Sequence, residues 1–312
     1  MPKKPRVAVV GSLVFDFVAS APSLPRPGET ILGTEFGIYP GGKGANQAVQ
    51  AARLGAEVHL IGRVGHDSFG DQLLASLQTD GVNTEFVTRD PQAGTAACCI
   101  HVDQQGRNAI VIVPQANAAL RPEHIETARH VIEAADILLA QLETPLATID
   151  HAFQMARAAG VATILNPAPA QPLPSGLLGR TTYLTPNEVE MEMLSGVVQQ
   201  QNPANWERRS ATKLMDMGAV HVIITLAERG CYVGGKTGEF FVPSFPVQAI
   251  DTTAAGDAFN GALGVALSEK MGLELACGFA NAAGALATTV RGAQPSMPNR
   301  SQVEALLKGR TS

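Results

Sequence analysis

The chain has 312 residues, of which 45% are hydrophobic and 16% are charged, a balance typical of a globular protein with a large core and not of a disordered chain. Its formal net charge of -5 excludes a surface built to neutralise the phosphates of a nucleic acid. No apolar run is long enough to cross a bilayer, so we expect a cytoplasmic protein that binds neither nucleic acid nor membrane.

Short β-rich runs alternate with helical stretches along most of the chain. The predicted strands of this series are Arg6–Val10, Val58–Ile61, Ile137–Gln141, Ala162–Leu165, Tyr183–Thr185 and His221–Thr225. The helical pattern is clearest over Ala45–Leu54, Ser68–Gln78 and Ala258–Leu267. Strands that alternate with helices predict a mostly parallel sheet with helices on both faces. We therefore expect one Rossmann-like, three-layer α/β/α domain that spans residues 1–312.

Two segments interrupt this alternation. Glu29–Pro40 and Thr95–Pro114 have strand patterns joined by turn residues, with no helical pattern between the strands. Within the second segment, Thr95–Asp103 and Asn108–Val113 flank a short polar turn, which indicates a β-hairpin. Antiparallel ribbons inserted into a parallel domain often cover a ligand site. We predict a small β lid, inserted at about residues 14–42 and 95–115.

A glycine-rich run ends the first inserted segment. Residues Gly41–Ala48 read Gly-Gly-Lys-Gly-Ala-Asn-Gln-Ala and open a predicted helix directly after a β segment. Glycines at such a junction let backbone N–H groups approach a polar ligand, and Lys43 and Asn46 supply side-chain donors. Taken alone, the run could equally be a glycine-rich turn with a helix cap.

A second run matches a P-loop in its letters only. Residues Gly230–Thr237 fit the pattern Gly-x-x-x-x-Gly-Lys-Thr, but a phosphate-binding P-loop must lie between a strand and a helix. The residues that follow, Gly238–Pro243, have a strand pattern. We therefore predict a hairpin turn at Gly234–Gly238 and no P-loop.

The strongest catalytic pattern lies near the carboxyl terminus. Asp251–Asp257 reads Asp-Thr-Thr-Ala-Ala-Gly-Asp and leads into the helical run from Ala258. Small residues at a helix start leave consecutive N–H groups free to bind an anion, and the helix dipole favours negative charge there. An ionised Asp257 at this position could accept a proton from an attacking hydroxyl. Alone, this aspartate could also be no more than a helix cap.

Together with these two motifs, further short motifs resemble the ribokinase family of carbohydrate kinases over nearly the whole chain. They are Pro27–Thr30, Gly65–Gly70, Ala116–Leu120, Gln141–Glu143, Asn166–Ala170, Thr185–Glu190 and Gly292–Ser296. The resemblance implies an enzyme that moves the γ-phosphoryl group of ATP onto the terminal hydroxyl of a pentose. It also implies a homodimer formed through the β lid.

The resemblance further implies roles for individual residues. Asp257 would be the general base, with Ala254, Ala255 and Gly256 as the anion hole. The sugar-binding residues would be Asp16, Gly42, Lys43, Gly44, Ala45, Asn46 and Glu143, with position 14 beside them. The nucleotide-binding residues would be Asn187, Thr225, Leu226, Ala227, Glu228, Arg229, Gly230, Gly256 and Asn281. Glu190 would act on Mg²⁺ through water, in keeping with the few protein carboxylates that this ion takes. A K⁺ site would involve Asp251, Thr253, Ala287, Val290, Gly292 and Ser296.

Three departures from the family pattern involve four positions. Val14 replaces the usual sugar-binding asparagine, Ala227 and Glu228 replace glycine and serine in the nucleotide loop, and Gln115 replaces a glycine. D-ribose is the first choice of substrate, and 2-deoxyribose or another related sugar is the alternative because of Val14. A different class of function is a sugar- or nucleotide-binding sensor without catalysis, which the intact Asp257 and Lys43 disfavour. A dinucleotide dehydrogenase is disfavoured because no Gly-x-Gly-x-x-Gly follows the first strand.

Overall fold

The computed structural model describes residues 4–201, 205–235 and 238–309. In chain order the strands are β1 Arg6–Val10, β2 Val14–Ala21, β3 Glu35–Gly41, β4 Glu57–Gly65, β5 Val82–Asn83, β6 Val87–Asp90, β7 Ala96–Asp103, β8 Asn108–Val113, β9 Ile137–Gln141, β10 Ala162–Asn166, β11 Tyr183–Leu184, β12 His221–Thr225, β13 Cys231–Gly235 and β14 Gly238–Val242. The helices are α1 Lys43–Arg53, α2 Ser68–Thr79, α3 Pro122–Thr127, α4 Arg129–Ala134, α5 Leu146–Ala158, α6 Ser175–Gly179, α7 Glu188–Ser195, α8 Trp206–Asp216, α9 Ala255–Ser268, α10 Leu273–Ala287 and α11 Arg300–Gly309. Short 3₁₀ turns lie at Gln115–Ala119, Gln199–Gln201, Ala227–Arg229 and Gln294–Ser296.

The described strands form two sheets. The large sheet has the order β14-β13-β12-β11-β10-β9-β1-β4-β5, and β6 pairs with β4. Its pairs are parallel from β12 to β5, whereas β12, β13 and β14 are joined antiparallel at one edge. The small sheet has the order β3-β2-β7-β8. The α/β fold with a mostly parallel central sheet is therefore confirmed.

The central strands are apolar along their whole length because helices cover both faces of the large sheet. In β1, Val7 and Val9 belong to one core and Ala8 and Val10 to the other. The first core packs against α1, α9 and α10, and the second packs against α3, α4, α5 and α8. All five residues of β9 are buried. A strand buried on both faces needs this continuous apolar pattern, since alternate side chains point to opposite faces.

The inserted segments were predicted less accurately than the core. The hairpin of β7 and β8 is confirmed, but the predicted strand at Glu29–Pro40 is wrong for its first half, because β3 begins only at Glu35. β3 pairs antiparallel with β2, and β2 pairs parallel with β7. The small sheet is thus assembled from both inserted segments, and it meets the large sheet where β3 ends and α1 begins.

The P-loop letters belong to a β-hairpin. Strands β13 and β14 pair antiparallel, with Gly235 opposite Gly238. The hairpin prediction is confirmed for these residues, and Lys236 and Thr237 lie outside the described residues. Among the described helices, none is both long enough and apolar enough to span a membrane.

Candidate active site

The helix start that carries Asp257 is built as the sequence predicts. Helix α9 begins at Ala255, and Ala254 precedes it with a left-handed backbone, at φ 59°. Asp257 lies in the first turn, where the helix dipole favours a negative charge. Its side chain is only 5% exposed, and a Cβ added at Gly256 would meet no atom within 4 Å. The space beside this helix start is therefore open to a ligand.

Two side-chain amides hold the Asp257 carboxylate. Asn46 donates from Nδ2 to Oδ2 at 3.0 Å, and Gln47 donates from Nε2 to Oδ1 at 3.0 Å. Both donors lie in α1, whose start is packed tightly against the loop after β1. Gly42 has a φ of 92°, and a Cβ added there would lie 2.8 Å from the backbone N of Val14. Glycine is thus needed at this junction to bring Asn46 to Asp257.

A cluster of charged side chains lies next to this pair. The Lys43 backbone N–H donates to Oε2 of Glu143 at 3.1 Å, and the Ser12 hydroxyl donates to the same oxygen at 2.5 Å. Burial, with the charges of Glu143 and Asp257, raises the pKa of Asp16 to about 7. Burial opposes the charge of Lys43, but the surrounding carboxylates, Asp257 first among them, outweigh it and raise its pKa. The site therefore combines one cation with several competing carboxylates.

The charged cluster includes a buried polar atom that has no partner among the described residues. Oδ1 of Asn46 is buried and accepts no hydrogen bond from them, although Nδ2 of the same amide is bound to Asp257. A buried acceptor without a donor is costly, and a ligand hydroxyl at this position would satisfy it. The predicted sugar-binding residues Asp16, Lys43, Asn46 and Glu143 are thus brought together. The remaining predicted positions, Gly42, Gly44 and Ala45, form the backbone of the same helix start.

Val14 lies beside this cluster but contributes only apolar surface. It is fully buried in a small group with Ala96 and Cys98, and it pairs with Gly41 across β2 and β3. Burial raises the pKa of the Cys98 thiol to about 12, with smaller effects from Asp16 and Glu143. An inert thiol and two small apolar side chains therefore form this wall.

A cavity of about 680 Å³ adjoins the other side of the helix start. Predicted nucleotide-binding residues that line it are Asn187, Thr225, Ala227, Glu228, Gly230, Gly256 and Asn281. Further lining comes from apolar groups such as Phe245, Val247 and Phe259. Apolar walls with a few polar groups suit a flat base, and the helix start at Ala255–Gly256 suits phosphates.

Two of the predicted nucleotide residues do not line this cavity. Leu226 is buried in the second core, and the Arg229 guanidinium pairs with Glu188 at 2.9 Å and with Glu207 at 3.0 Å. Asn281 lines the cavity, with its Nδ2 donating to the carbonyl of Val242 at 2.9 Å.

Asn187 and Glu190 form a capping box at the start of α7. The Asn187 backbone N–H and Nδ2 donate to the two oxygens of Glu190, each at 2.8 Å. Burial raises the pKa of Glu190, and the nearby charge of Lys43 opposes this. Among the described residues no three acidic, histidine or cysteine side chains form a metal-binding group. The donor set fits Mg²⁺ held through water and phosphate with a single carboxylate nearby, and not an all-protein metal cage.

The predicted cation-site residues lie on three adjoining segments. Asp251 accepts hydrogen bonds from the backbone N–H groups of Thr253 and Gly292, each at 2.9 Å. Its own N–H donates to the carbonyl of Thr288, in the turn between Ala287 and Val290. The Ser296 hydroxyl donates to the backbone carbonyl of Ala293 at 2.8 Å. Although burial opposes ionisation, the hydrogen bonds from Gly292 and Thr253 lower the pKa of Asp251. An anionic, carbonyl-rich loop of this kind suits a hard monovalent cation.

Two of the departures from the family pattern have a backbone consequence. Gln115 has a φ of 42° and Ala227 a φ of 50°, both in the left-handed region that glycine adopts without cost. The glycine that is usual at each position therefore has a conformational reason. The conformational cost at Gln115 is offset in part by a hydrogen bond, which its Oε1 accepts from the backbone N–H of Gly94 at 3.2 Å.

Sequence reasoning missed Ser12 and Gln47. Ser12 is hydrogen bonded to Glu143, and Gln47 to Asp257. Gln47 lies inside the Gly41–Ala48 motif, so its position in the motif was available as a signal. Its contact with Asp257, 210 residues away, was not.

Known carbohydrate kinases are similar to this chain over nearly its whole length. The model of the pfkB family of carbohydrate kinases matches residues 4–300. Ribokinase of Bacillus subtilis (strain 168) is 39% identical over 302 residues, which cover 96% of this chain and 99% of that protein. Deoxyribokinase of Salmonella typhi is 34% identical over 297 residues, which cover 95% and 96%. The structure of Arabidopsis thaliana ribokinase complexed with ribose and ATP is similar, with a TM-score of 0.92, 31% identity and coverage of 98% and 99%.

Proposed function

This chain belongs to the pfkB family of carbohydrate kinases, and from this membership we propose that it transfers the γ-phosphoryl group of ATP to the 5-hydroxyl of D-ribose. The products are ribose 5-phosphate and ADP. The observation that carries the proposal is Asp257, buried at a helix start between the ligand-sized cavity and the polar cluster of Lys43 and Asn46. The substrate is suggested by the similar ribokinases, one of which was solved with ribose and ATP.

In the proposed reaction Asp257 accepts the proton of the 5-hydroxyl as the new O–P bond forms. The bond between the γ-phosphorus and the bridging oxygen breaks, and ADP leaves with that oxygen. The N–H groups of Ala254 and Gly256 stabilise the charge on the transferred phosphoryl group, together with that of Ala255, which donates to the carbonyl of Thr252 at 3.3 Å in this structure and would turn to the phosphoryl group. Asp16, Lys43, Glu143 and Oδ1 of Asn46 orient the sugar. Glu190 would hold Mg²⁺ through water, and the ion would supply positive charge to the phosphates.

The test of this function is ADP release with purified protein, Mg-ATP and a panel of pentoses and hexoses. We expect release to depend on added sugar and to be fastest with ribose or a closely related pentose. Equal release with and without every sugar would contradict the proposal and would favour a nucleotide-binding protein without sugar kinase activity.

Because the wall formed by Val14, Ala96 and Cys98 is apolar, we predict weak selection at one sugar hydroxyl. An apolar wall discriminates weakly, whereas a site that hydrogen bonds a hydroxyl rejects the analogue that lacks it. Val14→Asn should shift the ratio of kcat/KM for ribose over 2-deoxyribose by roughly fivefold in favour of ribose, since one hydrogen bond contributes about 1 kcal/mol. Val14→Leu is the matched control and should not increase this ratio. An unchanged ratio in Val14→Asn would show that position 14 does not set specificity.

We also place a K⁺ ion at the loop formed by Asp251 and Gly292–Ser296. A cation there would order the segment that leads into Ala254 and the helix start. Activity should therefore rise when Na⁺ in the buffer is replaced by K⁺ at constant ionic strength. Identical rates in the two salts would leave Asp251 with a structural role only.

The small sheet is proposed as a lid inserted into a single domain, and as the contact between two copies of the chain. All six residues of β8 are exposed although four of them are Ile or Val, and Phe36 on the opposite edge strand is 67% exposed. Apolar edge strands of this kind favour pairing with another copy. Light scattering at micromolar concentration should give twice the monomer mass; a monomer mass would contradict this.

The need for ATP and the free cysteines suit a cytoplasmic enzyme.

A further inference from the structure

We propose that Gln47 is a positioning residue for Asp257, and that Gln141 keeps the Gln47 amide in its working orientation. The inference rests on the proposed role of Asp257 as general base. Gln47 lies in α1 and Gln141 at the end of β9, and both are buried, at 0% and 1% exposure. Neither lines the 680 Å³ cavity.

Both hydrogens of the Gln47 amide are used. Nε2 donates to Oδ1 of Asp257 at 3.0 Å and to Oδ1 of Asn166 at 3.2 Å. Oε1 of Gln47 accepts from Nε2 of Gln141 at 2.6 Å. Asn166 is held in turn, since its Nδ2 donates to the carbonyl of Thr185 at 3.3 Å. Gln47 thus joins the aspartate of α9 to the carboxyl ends of β9 and β10.

The orientation of the Gln47 side-chain amide is fixed by its hydrogen-bond partners. If the Gln47 amide were rotated by half a turn, Oε1 would face the oxygens of Asp257 and Asn166, and Nε2 would face Nε2 of Gln141. Acceptors would meet acceptors and a donor would meet a donor, which is costly in a buried site. Oε1 of Gln141 is buried close to Gly11, where an added Cβ would clash with it, and it accepts no hydrogen bond from the described residues.

A general base needs this constraint because its carboxylate rotates easily. The last side-chain torsion of aspartate has a broad distribution, so the single bond from Asn46 to Oδ2 leaves the plane of the carboxylate loosely set. A second donor on Oδ1 fixes that plane and so fixes the direction in which a lone pair meets the sugar hydroxyl. Small errors in such geometry reduce the rate strongly, by as much as about 100-fold for 1 Å.

The alternative is that Gln47 only holds α1 in place. The helix offers a matched control for this alternative, because Gln50 lies one turn further along and is also 0% exposed. Gln50 donates from Nε2 to the carbonyl of Pro298 at 3.0 Å and makes no hydrogen bond to Asp257. Replacing either glutamine by methionine keeps a similar volume and removes buried polar contacts.

The experiment compares kcat, KM for ribose and the pH profile of kcat in Gln47→Met, Gln141→Met and Gln50→Met. Gln47→Met should lower kcat by about 10- to 100-fold while KM changes by less than about threefold. The pH profile of kcat should also differ from that of the wild type, because the proposed proton acceptor has lost a hydrogen-bond donor. Gln141→Met should lower kcat by a smaller factor, about three- to tenfold. Gln50→Met loses the hydrogen bond to the carbonyl of Pro298 but should keep the wild-type kcat and pH profile.

Two results would overturn the inference. One is a wild-type kcat and pH profile in Gln47→Met, or in Gln141→Met if Gln47→Met does not fold. The other is an equal fall of kcat in Gln47→Met and Gln50→Met, which would mean that both glutamines act on the packing of α1. Asp257→Asn separates the two proposals. If it is inactive while Gln47→Met is normal, only the positioning role fails; if it is active, the assignment of the base fails.

Discussion

Replacing Asp257 by asparagine should lower kcat by roughly two to four orders of magnitude, the usual contribution of a positioned general base. The asparagine side chain cannot accept the proton of the sugar hydroxyl. It also offers one acceptor oxygen where Asn46 and Gln47 both donate, so its amide must face one of the two donors. Ribose affinity should fall much less than kcat, because other groups hold the sugar. The measurement is steady-state kinetics together with calorimetry of ribose binding.

The matched control for this substitution is Asp216→Asn, at the exposed end of α8. It makes the same chemical change at an exposed residue that is neither a predicted site residue nor part of the cavity lining, and it should leave kcat unchanged. Turnover of Asp257→Asn within tenfold of the wild type would contradict the role of Asp257 as the base.

Replacing Asp16 by asparagine should stabilise the protein in the absence of sugar and nucleotide at pH 8. The pKa of Asp16 is about 7 in the folded protein and 3.8 ordinarily, so the folded state binds a proton that the unfolded state has lost between these values. The free energy of unfolding of the wild type therefore falls as the pH rises from about 4 to 7. The difference of about three pKa units sets an upper limit near 4 kcal/mol.

This gain should be fully present above pH 7 and should shrink as the pH falls towards the ordinary value of 3.8, where the carboxyl also becomes protonated in the unfolded state. Urea unfolding of wild type and Asp16→Asn at pH 4.5 and pH 8 measures it. Ribose binding should weaken in the same variant. A polar group that reduces stability in a binding site is often kept there for function, so replacing it tends to stabilise the protein at the expense of binding. Equal stability of the two proteins at both pH values would show that Asp16 does not carry a buried charge.

The parts of the fold that the sequence predicted best are those fixed by local apolar pattern. Strands β1, β9 and β12 have the predicted bounds because each is a short apolar run buried on both faces. The start of β3 was misplaced, since its residues are mostly exposed and no burial pattern marks where pairing with β2 begins. The start of an exposed strand depends on its partner strand, which the local sequence does not reveal.

The candidate site likewise contains residues that a local motif predicts and residues that only the tertiary structure reveals. Asp257 and Lys43 lie in motifs with recognisable local structure, and the structure brings them into one charged cluster. Ser12 and Gln47 matter through hydrogen bonds to residues 131 and 210 positions away. A buried serine or glutamine has no periodic pattern that separates it from an ordinary loop or helix residue. Such contacts become visible only when the packing of α1 against α9, and of the loop after β1 against the loop after β9, is known.

The most direct test of the proposed reaction is the position of the phosphate in the product. Stoichiometric ATP, Mg²⁺ and ribose are incubated with the enzyme, and the product is analysed by ³¹P–¹H correlation NMR alongside ADP quantification. We predict one ADP for each ribose phosphate, with the phosphorus coupled to the two protons on C5, and no such product from Asp257→Asn within the same time. Phosphate on another carbon, or ADP without any sugar phosphate, would contradict the assignment of this chain as a ribose 5-kinase.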